Sequence, residues 1–228
     1  MTKKIFMRKE QNEAEKERGS KQLFRLATLI DILYALIVFQ IFQFLPRPDV
    51  DNFTAAELIG VLKSSGTTYM VMVVGIIMVI IYWGQSNLQY GNLERTDGKH
   101  AALSILQTFS LMLYFYFMRL DVELEGPRIT LQMESIFIAL AGFISIWCWY
   151  YSIKNGLLSD KVNLKEENSV YLKLMPEPIT AVITFPFTWF GPGIWTLSWL
   201  LLIPITMIIK KIRQKMLEKA IIEELEKN

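Results

Sequence analysis

Apolar residues gather into runs at about 22–45, 67–84, 101–118, 129–153, 177–190 and 193–209, and the short segments between them hold nearly all the charge. Each of the first four runs is close to the roughly 17–25 residues that cross a hydrocarbon core of about 30 Å as an α-helix. The last two are shorter, and in "FPFTWFGPGIW" the residues Pro186, Gly191, Pro192 and Gly193 predict a hairpin turn between two helices. The alternative is a soluble bundle, whose helices would show a polar face recurring every three to four residues. "MVMVVGIIMVIIYW" (70–83) has no such face. Six helices of this kind need lipid around them, because a chain of 228 residues cannot build a core large enough to hide them. The expected fold is all-α, an integral membrane protein with six transmembrane helices.

Charge fixes the expected orientation. Lys and Arg number seven in the N-terminal tail, two in 85–100, four in 154–175 and six after 209, against two in 46–66, two in 119–128 and none in 190–193. Nineteen against four is a positive-inside bias that alternates correctly with six spans and both termini in the cytoplasm. The expected organisation is a charged cytoplasmic tail over 1–21, a channel-like membrane domain over 22–209 and a cytoplasmic amphipathic helix over 210–228. In that last segment Ile212, Met216, Ala220, Ile221 and Leu225 fall at helical spacing. The tail has neither an apolar core nor a small-residue cleavage site, so no cleavable signal peptide is expected.

Composition removes several classes of function. The single Cys148 lies within a span and His100 is the only histidine, which leaves no disulfide framework and no thiolate or multi-histidine metal site. No H-E-x-x-H, G-x-S-x-G, paired-carboxylate spacing or phosphate-cradling glycine loop is present, so an enzyme is not expected, and neither is a cofactor. The net charge of +2 is spread through tails in which Glu alternates with Lys, so nucleic acid is not an expected partner.

The chemistry that remains is polar side chains inside spans. "FRLATLIDILYALIVFQIFQF" (24–44) carries Arg25, Asp31, Gln40 and Gln43. Arg25 can reach the cytoplasmic interface by snorkelling. Asp31 lies about 9 Å deeper and cannot, so it is expected to turn into the bundle and find a donor on another helix. Leu36, Phe39, Gln40 and Gln43 fall within about 100° of one another on a helical wheel, a stripe that either lines a watery path or joins helices within one subunit. Gln85, Ser86, Asn87 and Gln89 form a second polar cluster past Trp83. Trp83, Trp147 and Trp149 read as interfacial anchors, and Glu134 as an interfacial acid.

These residues resemble the transmembrane protein 175 family of cation channels. The family opens its first span with R-x-x-x-F-S-D and an aliphatic run, and Arg25-Leu-Ala-Thr-Leu29-Ile30-Asp31 keeps the Arg-to-Asp spacing, with Leu29 and Ile30 replacing Phe and Ser. Tyr82-Trp83 matches the aromatic pair ending the family's second span, Asp97 its acidic cytoplasmic turn, and Phe190-Gly-Pro192 its last junction. The resemblance implies a homotetramer in a bacterial plasma membrane, its first spans around an axial pore that passes monovalent cations, potassium in preference to sodium. It places the closing aliphatic residue at Leu36. Phe39 stands where the family often has a Thr tied to selectivity, and Ser86 where it has a His. The expectation is therefore a potassium-preferring cation channel with a hydrophobic constriction at Leu36 and Phe39, amides at Gln40 and Gln43, and Arg25, Asp31 and Trp83 as structural motif. Its expected partners are copies of itself, lipid and permeant cations. The alternative is a scaffold that keeps the channel fold without conducting.

Overall fold

The computed structural model describes residues 2–43, 45, 54, 59–60, 66–124 and 126–225, with side chains described from Glu13 onward except at 66–68, 70, 220–221 and 223–225. The expected outer segment 46–66, with Arg47 and Lys63, lies almost wholly outside the described residues, as do the last residues of the C-terminal segment. All regular structure among the described residues is helical: α1 (Thr2–Phe42), α2 (Gly66–Gly91), α3 (Gly98–Glu123), α4 (Arg128–Lys154), α5 (Leu164–Leu174), α6 (Pro176–Thr184), a 3-10 helix (Phe185–Phe190), α7 (Pro192–Ser198), a 3-10 turn (Trp199–Leu201) and α8 (Leu202–Leu225).

Five of these stretches are long and apolar enough to cross a membrane: Glu13–Phe42, Val71–Gly91, Gly98–Glu123, Arg128–Lys154 and Pro192–Lys219. Phe24, Ile77, Ile80, Phe109, Tyr116, Phe143, Trp147 and Met207 are all at least 45% exposed. A chain that turns such residues outward on helix after helix is an integral membrane protein, since water would penalise each of them. The run at 177–190 is different. Pro186 removes a backbone donor, so the segment divides into α6 and the six-residue 3-10 helix, and Gly191 then reverses the chain at φ 97°, a backbone angle that suits glycine.

The core joins one face of α1 to α2, α3 and α4. Leu26, Ile30, Tyr34, Ile37 and Ile41 of α1 pack with Met72, Val79 and Tyr82 of α2, Leu111, Tyr114, Phe115 and Met118 of α3, and Ile138, Ala139 and Ala141 of α4. α3 and α4 are antiparallel neighbours joined by a short turn, and α6 lies against α4 so closely that a Cβ on Gly142 would stand 2.7 Å from the Pro178 ring. A second, smaller core forms where Trp149 of α4 meets Val170, Tyr171 and Leu174 of α5.

Two expectations are corrected here. Trp149 is fully buried in that second core, whereas Trp147 is 59% exposed, because residues two apart on a helix point about 200° away from each other. Glu134 is 2% exposed instead of interfacial, since it shares the inward face of α4 with Leu131, Ser135 and Ile138.

Candidate functional site

α1 is one continuous helix of 41 residues, about 62 Å long, with no break between the charged tail and the apolar run. Its two faces differ. Ile30, Ile37 and Ile41 are at most 1% exposed, while Ile32 (53%), Leu36 (49%) and Phe39 (62%) project from the subunit. Ile32 belongs to this outward face four residues before Leu36 and seven before Phe39, and it is the position that a wheel begun at Leu36 leaves out.

The two amides separate from each other. Gln40 is half-buried. Gln43 is half-buried too, and its Oε1 accepts from Arg119 Nη1 of α3 at 3.3 Å. Helical spacing extrapolates Gln43 onto the outward face, but α1 ends at Phe42, so the wheel no longer governs residue 43. Arg119 also binds Glu123 at 2.6 Å, which places a small charged network at this end of α1 and α3.

Asp31 departs from expectation in its surroundings. It does not enter the core: it is exposed on the single chain, on the flank of α1 beside α2, where its Oδ1 accepts from the Trp83 indole N–H at 2.9 Å. Six residues separate it from Arg25, a turn of about 120° around the helix, and no ion pair joins the two among the described residues. Arg25 is itself exposed. Leu29 and Ile30, which replace the family's Phe and Ser, take opposite environments, 41% and 1% exposed.

Behind the outward face runs a buried polar seam. Tyr34 Oη and Ser86 Oγ stand 3.0 Å apart, Gln89 Nε2 donates to Ser145 Oγ at 2.7 Å, and Ser104 Oγ lies 3.4 Å from Cys148 Sγ. Ser86, Gln89, Ser104, Ser145 and Cys148, with Tyr90 and Gln107, surround a cavity of about 10 Å³, room for about one water molecule. The seam explains why α2 continues through Gln85, Ser86 and Gln89 instead of ending near 84: each of these amides and hydroxyls finds a buried partner, Gln85 donating to the Lys173 carbonyl at 2.6 Å. The sequence signal was the run Gln85–Gln89 itself. Its partners are scattered over α1, α4 and α5.

The loop after α2 grips α1 around Lys16 and Gly19. Thr96 N–H donates to the Gly19 carbonyl at 3.2 Å, Lys16 pairs with Glu94 at 3.3 Å, and a Cβ on Gly19 would meet Arg95 Cβ at 2.9 Å. Asp97 caps α3 through the His100 N–H at 2.8 Å and accepts from the Tyr151 hydroxyl at 2.7 Å. Burial alone would raise the Asp97 pKa, but the N–H and ring of His100, the Tyr151 hydroxyl and the Lys99 N–H outweigh it and hold the carboxyl below its ordinary range. Among the described residues no group of three or more His, Cys, Asp or Glu stands close enough to hold a metal ion.

A crystal structure of a lysosomal potassium-selective channel TMEM175 homolog from Chamaesiphon minutus superposes on this chain with a TM-score of 0.65, over 83% of this chain and 98% of that one. The two share a fold. They do so at 13% identity, and no family model and no curated protein matches the chain. The resemblance carried by Arg25, Asp31 and Trp83 is met at the level of architecture, and the neighbour is a channel and not an enzyme.

Proposed function

We propose that the protein is a cation channel, formed by several copies, most simply four, whose α1 helices meet around an axial path. The observation that carries this reading is the outward face of α1. Its apolar residues Ile32, Leu36 and Phe39 would sit equally well in lipid, but the Asp31 carboxylate on its flank would not. A carboxylate in hydrocarbon costs at least about 2.5 kcal/mol even on lenient scales, so this side of the subunit calls for protein or water. Neighbouring copies of α1 supply both. That the similar crystal structure is of a potassium-selective channel homolog fits the same reading.

In such an assembly Leu36 and Phe39, about 4.5 Å apart along the axis, form two stacked apolar rings, with Ile32 a turn further in. Narrow apolar rings exclude water and close the path to ions without a moving lid. Gln40, next to Phe39, offers an amide oxygen to a partly dehydrated cation, and Gln43 serves chiefly to tie α1 to Arg119. Potassium preference is a modest expectation, because Phe39 supplies no oxygen. Six spans with both termini in the cytoplasm fit this arrangement: α6 and the 3-10 helix together rise about 25 Å, since 3-10 geometry lengthens the rise per residue.

The test is cation flux through the purified protein in liposomes. Replacing both Leu36 and Phe39 by Ser should raise basal cation flux severalfold with anion flux unchanged. Unchanged flux in the double variant, with the oligomer intact by mass measurement, would remove the gate from these residues, and absence of cation flux from wild type and variant alike would favour the non-conducting scaffold.

A further inference from the structure

A groove of about 810 Å³ lies between the first part of α1 and the start of α3, on the same side of α1 as Leu36 but about two to five turns nearer the N-terminus. α1 contributes Arg18, Lys21, Arg25 and Leu29 at spacings of three, four and four residues, so they follow one side of the helix. Across from them stand Ala101 and Ile105, one turn apart on α3.

The lining changes character along its length. Arg18, Lys21 and Arg25 bring three positive charges against the single carboxylate of Glu17, which pairs with Lys21 at 2.7 Å. Among the described residues Arg18 and Arg25 make no ion pair and no side-chain hydrogen bond. Beyond Arg25, about 6 Å further along the axis, the lining becomes Leu26, Leu29 and Ile105, the last two 41% and 40% exposed. Cationic at one end and apolar at the other, the groove crosses from the charged part of α1 into its lipid-spanning part.

We propose that this groove binds one anionic phospholipid, its phosphate held by Arg18 and Arg25 and the start of an acyl chain laid over Leu29 and Ile105. The match is of charge and of order. A phospholipid at the inner surface presents its anionic group outside its chain, as the groove presents its guanidinium groups outside its aliphatic side chains, and basic residues beside a span attract such headgroups. The inference uses only the reading that α1 crosses the bilayer, not that the protein conducts.

Native mass spectrometry of the delipidated full chain, given back phosphatidylglycerol or phosphatidylcholine with matched chains, tests the site without any flux measurement. Phosphatidylglycerol should be retained at least about fivefold better, and Arg18→Gln and Arg25→Gln should each lower its retention by about fivefold, the size typical of one basic residue at an anionic lipid surface. Ile105→Ser should weaken retention as well, because it removes the chain contact. Arg18 lies on the exposed part of the helix, so its variant keeps the test alive if Arg25→Gln does not fold. Equal retention of the two lipids, or full retention in Arg18→Gln, would overturn the proposal. So would displacement of the lipid by inorganic phosphate with no effect of Ile105→Ser, which would mark a phosphate site, or an Ala14→Cys cross-link between copies with no lipid bound, which would mark a subunit contact.

Discussion

The two faces of α1 are made from nearly the same residues and do opposite things. Ile30, Ile37 and Ile41 vanish against α2 and α3, while Ile32, Leu36 and Phe39, interleaved with them in sequence, stay uncovered. Hydropathy treats both sets alike. In a membrane protein the difference between a buried and an outward residue is one of direction, decided by which neighbours stand on which side, and on this helix Asp31 with its Trp83 partner is one polar marker of that direction.

The sharpest way to break that comparison is to truncate one residue on each face. Ile37→Ala should destabilise the folded protein by about 2–5 kcal/mol, since it opens a cavity in a packed core, whereas Phe39→Ala should change the stability of the subunit by no more than about 0.5 kcal/mol and act on flux or assembly instead. Thermal unfolding in detergent checks both. Equal losses at the two positions would mean that the assembled protein buries the two faces alike, and would sharpen the case for a tight axial contact at Phe39.

Next in size is the hydrogen bond between the two helices. Asp31→Ala leaves the Trp83 indole N–H without its acceptor, and Trp83→Phe leaves the carboxylate without its donor. Each should cost about 1–3 kcal/mol, and a double variant should cost less than their sum. Additive losses would show that the two side chains do not act as a pair. Because Asp31 is exposed on the subunit and its partner is neutral, the loss should fall short of the roughly 3–5 kcal/mol that breaking a buried ion pair produces.

The smallest effect is expected at the inner turn. Asp97→Ala removes the α3 cap and should cost about 0.5–2 kcal/mol near neutral pH. The folded-state pKa of Asp97 is depressed, so its contribution is present above the unfolded carboxylate pKa and is lost as pH falls through the folded value. Wild type and variant should therefore converge in stability in acid, which unfolding measured across pH would show. A gap that persists at the lowest pH would assign the effect to packing around Tyr151 and not to the charge.

Most of the architecture was legible in the residues because lipid imposes a strict rule. Backbone groups in hydrocarbon must bond within their own segment, so long apolar runs become helices, and the runs near 101–118 and 129–153 lie within α3 and α4. The run at 177–190 was legible as apolar but not as α6 followed by a 3-10 helix, because the effect of Pro186 depends on what satisfies the carbonyls it leaves free. Within the site, the spacing of Leu36 and Phe39 placed them on one face of α1, since helical geometry is local. It extended one residue past the helix end, to Gln43, and left out Ile32.

What the sequence determined by itself is the membrane class, the helices, and the need of a span-embedded acid for a donor on another helix, all of which follow from the composition and order of side chains in lipid. What only the tertiary structure decided is which isoleucines are core, that Trp83 is the donor to Asp31, that Trp149 and Glu134 point inward, that Gln43 turns to Arg119, and that Gln85, Ser86 and Gln89 meet partners on three other helices. Those facts depend on how helices far apart in the chain stand against one another. A periodic pattern reports the direction of a side chain relative to its own helix axis, and the identity of what it meets is set by the packing of all the others.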